Sequence, residues 1–102
     1  MSKKMSEQER QSIKQQVAES YIATMKIAKQ VAADLFGPGK IDPETVFGVY
    51  ERIPDNEASA ADHKEARADL LLAKETAAKN FPGAVTPAVV FGTWDHLFDD
   101  GE

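Results

Sequence analysis

The sequence predicts an all-α fold: a duplicated helical hairpin forming a pseudo-two-fold four-helix bundle. Three observations carry this reading. The second half of the chain repeats the first, with Ala23–Phe36 aligning with Ala68–Phe81 and, once Gly37 is omitted, Pro38–Ile53 with Pro82–Leu97; 12 of the 30 paired positions are identical. Both copies contain the ordered string P-G-x-[I/V]-[D/T]-P-x-x-V-F-G-x-[Y/W]-[E/D], which joins a turn, a helix start and an aromatic face in one register. Apolar residues outside the turns recur at three- and four-residue steps, the period of a helix with one buried face.

The first helix starts at Ser6, whose hydroxyl can cap it, with Glu7 and Glu9 at the positive end of its dipole. Ile13, Val17, Tyr21, Met25, Ala28, Ala32 and Leu35/Phe36 then form its stripe, and Gly37-Pro38-Gly39 ends it. The second helix opens at Asp42 with Pro43 in the first turn, where a missing N–H costs nothing. Ile41 and Val46 occupy the positions of a hydrophobic staple, and Val46, Phe47, Tyr50 and Ile53 line one face as far as Pro54. After a linker at Asp55–Ala58, Ser59 caps the third helix with Asp62 in the capping-box place; Ala66, Leu70, Ala73, Ala77 and Phe81 face inward until Pro82-Gly83. The last segment contains a strand-like Val-Val-Phe run, yet Val90, Phe91, Trp94, Leu97 and Phe98 keep helical spacing behind a Thr86-Pro87 start. Gly48 and Gly92, each within a helix, predict close backbone approach at a helix crossing.

The chain is expected to be one domain, 1–102, built of two repeats at about 6–53 and 59–98. No apolar run is long enough for a membrane span, and the start MSKKMSEQER lacks the apolar stretch of a signal peptide, so a cytoplasmic location is the expectation. The absence of cysteine excludes disulfides and thiolate zinc sites. Charge is unevenly placed: residues 1–53 carry 8 Lys+Arg and 7 Asp+Glu, whereas residues 54–102 carry 4 and 10. An acidic half argues against non-specific binding to phosphate backbones, which relies on Lys and Arg.

Candidate chemistry is sparse. His96 lies next to Asp95, with Asp99 and Asp100 one turn on, but spacing marks no third metal ligand. His63, between Asp62 and Lys64, has the pattern of a solvated face. No phosphate-binding glycine motif and no nucleophile–base–orienter set is present, so the expectation is a protein that is not an enzyme and takes no cofactor or metal. The turns Phe36–Ile41 and Phe81–Val85 superficially resemble the hairpins of helix-hairpin-helix DNA-binding modules, which also occur as duplicated pairs. That resemblance implies backbone N–H groups offered to a phosphate. The family usually carries a second glycine two residues after the first, where this chain has Ile41 and Val85.

The first helix has more apolar surface than its repeat partner: Ile13, Val17 and Tyr21 align with Ala58, Asp62 and Ala66. A helix from Ser6 to Phe36 would outrun one from Ser59 to Phe81 by about 12 Å. The candidate interface residues are therefore Ile13, Val17 and Tyr21, together with Trp94, Asp95, Asp99 and Asp100, an aromatic anchor beside carboxylates. The expected function is that of a small acidic binding or regulatory protein that occupies a macromolecular partner, a protein of basic character, as a homodimer. In its sharper form, Asp55, Glu57, Asp62, Glu65, Asp69 and the Asp95–Glu102 tail imitate the charge of nucleic acid. The alternative is a nucleic-acid-binding module that uses the two Pro-Gly turns, and a small-ligand bundle pocket comes third.

Overall fold

The computed structural model describes residues 6–99, the side chain of Lys40 excepted. Among them are four α-helices, α1 (Glu7–Phe36), α2 (Pro43–Tyr50), α3 (Ala60–Asn80) and α4 (Pro87–Phe98), and a 3₁₀ turn at Pro38–Lys40; no strand occurs among the described residues. The Val-Val-Phe run lies in α4.

Each helix begins where a side-chain oxygen can take an orphan amide. Ser6 and Glu9 close a reciprocal capping box, both bonds at 3.0 Å. The Asp42 carboxylate accepts from the Thr45 amide at 2.8 Å, Ser59 from Asp62 at 3.1 Å and Thr86 from Val89 at 3.3 Å. Ile41 packs on the cluster that holds Val46, and Val85 on the one that holds Val90, as hydrophobic staples require. α1 has no basic residue in its last turn; Lys74 of α3 supplies one, its ammonium donating to the Leu35 carbonyl.

The core is thin. Ala28, Val31, Ala32 and Leu35 of α1 meet Val46 and Val49 of α2 and Leu70 of α3, and a second cluster joins Ala73 and Ala77 to Val90 of α4. Alanines on α1 and α3 let the short helices lie close, and the larger aromatic rings fill the seams between helices. Phe36 and Trp94 pack against both clusters, and Phe36 meets Phe91 edge-on at 5.9 Å. This places the seam between the two hairpins at the centre of the molecule.

The halves differ where the alignment is strictest. Gly39 pairs with Gly83 in sequence, yet the left-handed residue is Gly37 (φ +89°) in the first turn and Gly83 (φ +80°) in the second. α3 stops at Asn80, so Phe81 becomes its C-cap and is 53 % exposed, whereas Phe36 ends α1 half-buried. Phe47 is likewise exposed while Phe91 lies inside, and Leu97 is exposed while Ile53 packs on the core. Inward placement of Phe81, Phe47 and Leu97 is therefore corrected: an earlier helix end and a differently built turn rotate the equivalent rings outward.

The molecule is elongated, 58 × 35 × 24 Å, with a radius of gyration of 17.0 Å where about 13 Å is usual for a chain this long. The cause is α1. Every residue from Ser6 to Glu19 is exposed, so more than three turns project beyond the packed body.

The two helical glycines play different parts. A Cβ at Gly48 would fall 2.7 Å from Cδ2 and Cζ of Phe91, whereas at Gly92 it would meet nothing within 4 Å. The close approach predicted for both is real only for Gly48, where α2 crosses α4. Gly48→Ala should lower stability by about 1–3 kcal/mol, because the Phe91 ring is wedged between Phe36 and Arg52 and has little room to yield. Gly92→Ala should raise it by about 0.5–1 kcal/mol through helix propensity. Urea unfolding of both variants checks the contrast.

Two carboxyls are held below the ordinary 3.8: Asp34 by hydrogen bonds from Arg67 and then Gln30, and Asp42 by the Thr45 hydroxyl and then its amide. Each holds its proton less tightly folded than unfolded, so its contribution is complete above the unfolded carboxyl pKa and is lost as pH falls through the lower folded value. The melting temperature should therefore fall as pH drops below about 4, and Asp42→Asn, which keeps a cap oxygen, should flatten that fall.

Candidate functional site

Two regions bring together side chains that packing alone does not explain. The first is the seam between the hairpins, centred on Arg52 just after α2. Its side chain is only 12 % exposed. The guanidinium lies 4.7 Å from the Phe91 ring centroid and 5.3 Å from that of Trp94, and binds both Asp95 oxygens at 2.9 and 3.1 Å. Its other terminal nitrogen donates to the Gly48 carbonyl at 2.8 Å, satisfying an orphan acceptor at the end of α2. One terminal nitrogen on a carboxylate and the other on a carbonyl, with the guanidinium carbon over two aromatic rings, is a geometry lysine cannot copy. Arg52 Nε and Trp94 Nε1 are buried next to this contact and find no partner among the described residues.

The linker is pinned a short distance away. The Asn56 amide N–H donates to the Thr24 hydroxyl at 2.9 Å, and its side-chain oxygen accepts from Ser20 and Thr24 at 2.9 and 3.2 Å. Thr24 is thus a buried polar residue with its bonds satisfied. Asp55–Ala58 is consequently a clamp on α1 as well as a linker, and His63 is tied to it through the Asp55 carbonyl at 2.9 Å.

The second region is an apolar face on the first hairpin. Ile13, Val17 and Tyr21 lie at steps of four along α1 and are 45, 64 and 42 % exposed. Below them opens a cavity of about 220 Å³ lined by Tyr21, Met25, Ile41, Pro43, Val46 and Phe47, with Lys29 and Asp42 at its edge. The Tyr21 ring touches Tyr50 edge-on at 5.5 Å. The face is therefore continuous from the projecting end of α1 to the hairpin body.

The interface candidates divide between these regions. Ile13, Val17 and Tyr21 share the exposed face. Trp94 is half-buried against both core clusters with its ring tilted at 53° to that of Phe98, and Asp95 is engaged by Arg52, so both face the seam. Asp99 is exposed at the C-cap of α4; Asp100 lies outside the described residues, as does any pairing of it with His96. Among the described residues no group of three or more His, Cys, Asp or Glu side chains is placed to hold a metal ion. No described helix is long and apolar enough to cross a membrane.

The second half's charges are also sorted by the fold. Arg67 pairs with Asp34 and Lys74 with the Leu35 carbonyl, both on α1. Asp55, Glu57, Asp62, Glu65 and Glu75 meanwhile stay exposed. No family model, no curated protein sequence and no solved structure matches this chain.

Arg52, Asn56 and Phe47 are the residues that sequence reasoning missed. One signal was available for Arg52: it replaces His96 at an aligned position where most neighbours are conserved in type. Arg52→Ala should cost about 1–3 kcal/mol, through lost packing on two rings as much as lost charge. Asp95→Asn should cost less, since Asp95 is half-exposed and Arg52 keeps the Gly48 carbonyl. If the two changes are equally costly in urea unfolding, the ion pair rather than the aromatic stacking holds the seam.

Proposed function

We propose that this chain is a non-catalytic binding module that acts by occupying a protein partner, and that it works as a homodimer. The observation that carries the reading is the uncovered apolar face of Ile13, Val17 and Tyr21, continuous with the cavity beside Phe47. Apolar side chains on a projecting helix, with no internal wall to meet, have the character of an association surface.

Charge supports a basic partner. With Arg67 and Lys74 drawn onto α1, the outer side of α3 and its linker presents carboxylates, and complementary charge speeds encounter and sets orientation. In this reading the two hairpins are diverged copies of one unit about a pseudo-two-fold axis. The first copy has kept an apolar surface for self-association and the second has become the acidic surface. The aligned caps Asp42 and Thr86 and the buried pairs Ala28/Ala73, Ala32/Ala77 and Val46/Val90 support the common origin.

Light scattering at high micromolar concentration should give a dimer, and Ile13→Glu/Val17→Glu should shift it to monomer. Labelled single- and double-stranded oligonucleotides should show no salt-dependent binding. Tight oligonucleotide binding that weakens steeply with salt would instead favour the Pro-Gly turns as a nucleic-acid site.

A further inference from the structure

We infer that two copies associate through their short helices, the Phe47 ring of each lying on the bare backbone of Gly92 in the other, so that α2 and α4 of both copies close a ring. This rests on the homodimer reading above and gives that dimer a contact and a symmetry.

The template is the seam inside the chain. There the Phe91 ring lies against Gly48, meets Phe36 edge-on and is covered by Arg52, which binds Asp95. The repeat supplies the parts of this joint a second time. On the inserted side, Phe91 and Asp95 align with Phe47 and Glu51. On the receiving side, Gly48, Phe36 and Arg52 align with Gly92, Phe81 and His96. The fold leaves this second set open. Phe47 and Phe81 are 48 and 53 % exposed, Glu51 and His96 are exposed, and a Cβ at Gly92 would meet nothing within 4 Å among the described residues.

Helix geometry makes the second joint reachable. Successive residues of a helix point about 100° apart. On α4, Val90 turns to the second core cluster, Phe91 to α2 and Gly92 to open space. On α2, Val46 turns to the first core cluster, Gly48 to α4 and Phe47 outward. The two helices run in the same direction, because Gly48 meets Phe91 and, one turn later, Arg52 meets Asp95. Each short helix therefore carries a ring and a bare glycine on faces about 100° apart, close to the roughly 90° corner of a square.

Making the joint once within each chain and twice between chains closes four parallel helices about a two-fold axis. Unlike surfaces that close in this way give a finite assembly and no filament. Charge agrees with the register. Where Arg52 binds Asp95 within the chain, His96 of one copy meets Glu51 of the other, base against acid in both joints. The apolar face of α1 adjoins the contact, since Tyr21 and Phe47 line the same cavity.

Sedimentation equilibrium of the full chain tests this at two positions. Gly92→Ala should raise the dimer dissociation constant about tenfold or more, because the added methyl displaces a ring at both symmetric contacts. The same change favours the helix of the monomer, so weaker association would not come from a damaged fold. Phe47→Ala should weaken the dimer to a similar extent. Combining the two should weaken it no further than Phe47→Ala alone, since no ring is then left to displace. A dissociation constant unmoved by Gly92→Ala or by Phe47→Ala, or effects that add in the double variant, would overturn the contact; the homodimer reading stands where Ile13→Glu/Val17→Glu still dissociates the chain. A wild-type monomer at several hundred micromolar would overturn both.

Discussion

Arg52 carries a charge into the seam between two hairpins that otherwise meet through a few small side chains and aromatic edges. Its guanidinium lies over the rings of Phe91 and Trp94, one terminal nitrogen binds Asp95, and the other donates to the Gly48 carbonyl. The seam depends on this arrangement because the buried core is built from alanine, valine and two leucines, and such side chains reach only a short way between helix axes. Gly48 belongs to the same device. Its bare backbone lets the Phe91 ring lie against α2, and its carbonyl accepts from the arginine that stacks on that ring. The ends of α2 and α4 are thereby joined by one side chain.

The contacts that join the halves are made by residues that differ between the copies or by one member only of an identical pair. Arg52 corresponds to His96, which is exposed, and Asn56 lies in the linker, outside the aligned segments. Lys74 donates to α1, whereas its identical counterpart Lys29 stands at the rim of the cavity. Two copies of one hairpin could meet symmetrically only through equivalent residues. Differences at 52/96 and in the turns instead favour an asymmetric seam, which turns Phe91 inward and leaves Phe47 facing out. The apolar face of the first hairpin follows from that asymmetry.

Local chemistry made the helices legible in the sequence. Ser6, Asp42, Ser59 and Thr86 each cap the helix expected of them, and the period of Val90, Phe91 and Trp94 outweighed the strand propensity of Val-Val-Phe. The exposure of Ile13, Val17 and Tyr21 was also readable, because their aligned positions in the second copy offer no matching wall. Tertiary contacts were less legible. Arg52 between Glu51 and Ile53 has the pattern of a solvated charge, and only the placement of α4 beside α2 shows otherwise. Gly92 shares its sequence setting with Gly48 yet faces open space, since the seam uses one of the two equivalent positions.

The central claim is that the projecting half of α1 is completed by association, while the half from Thr24 to Phe36 is held by the chain's own core. Amide hydrogen exchange across a concentration series measures this directly. The account predicts slow exchange for Ala28–Leu35 at every concentration, and protection of Ser12–Glu19 that appears only as the chain is concentrated. Protection of Ser12–Glu19 that is strong at low micromolar concentration and independent of dilution would contradict it.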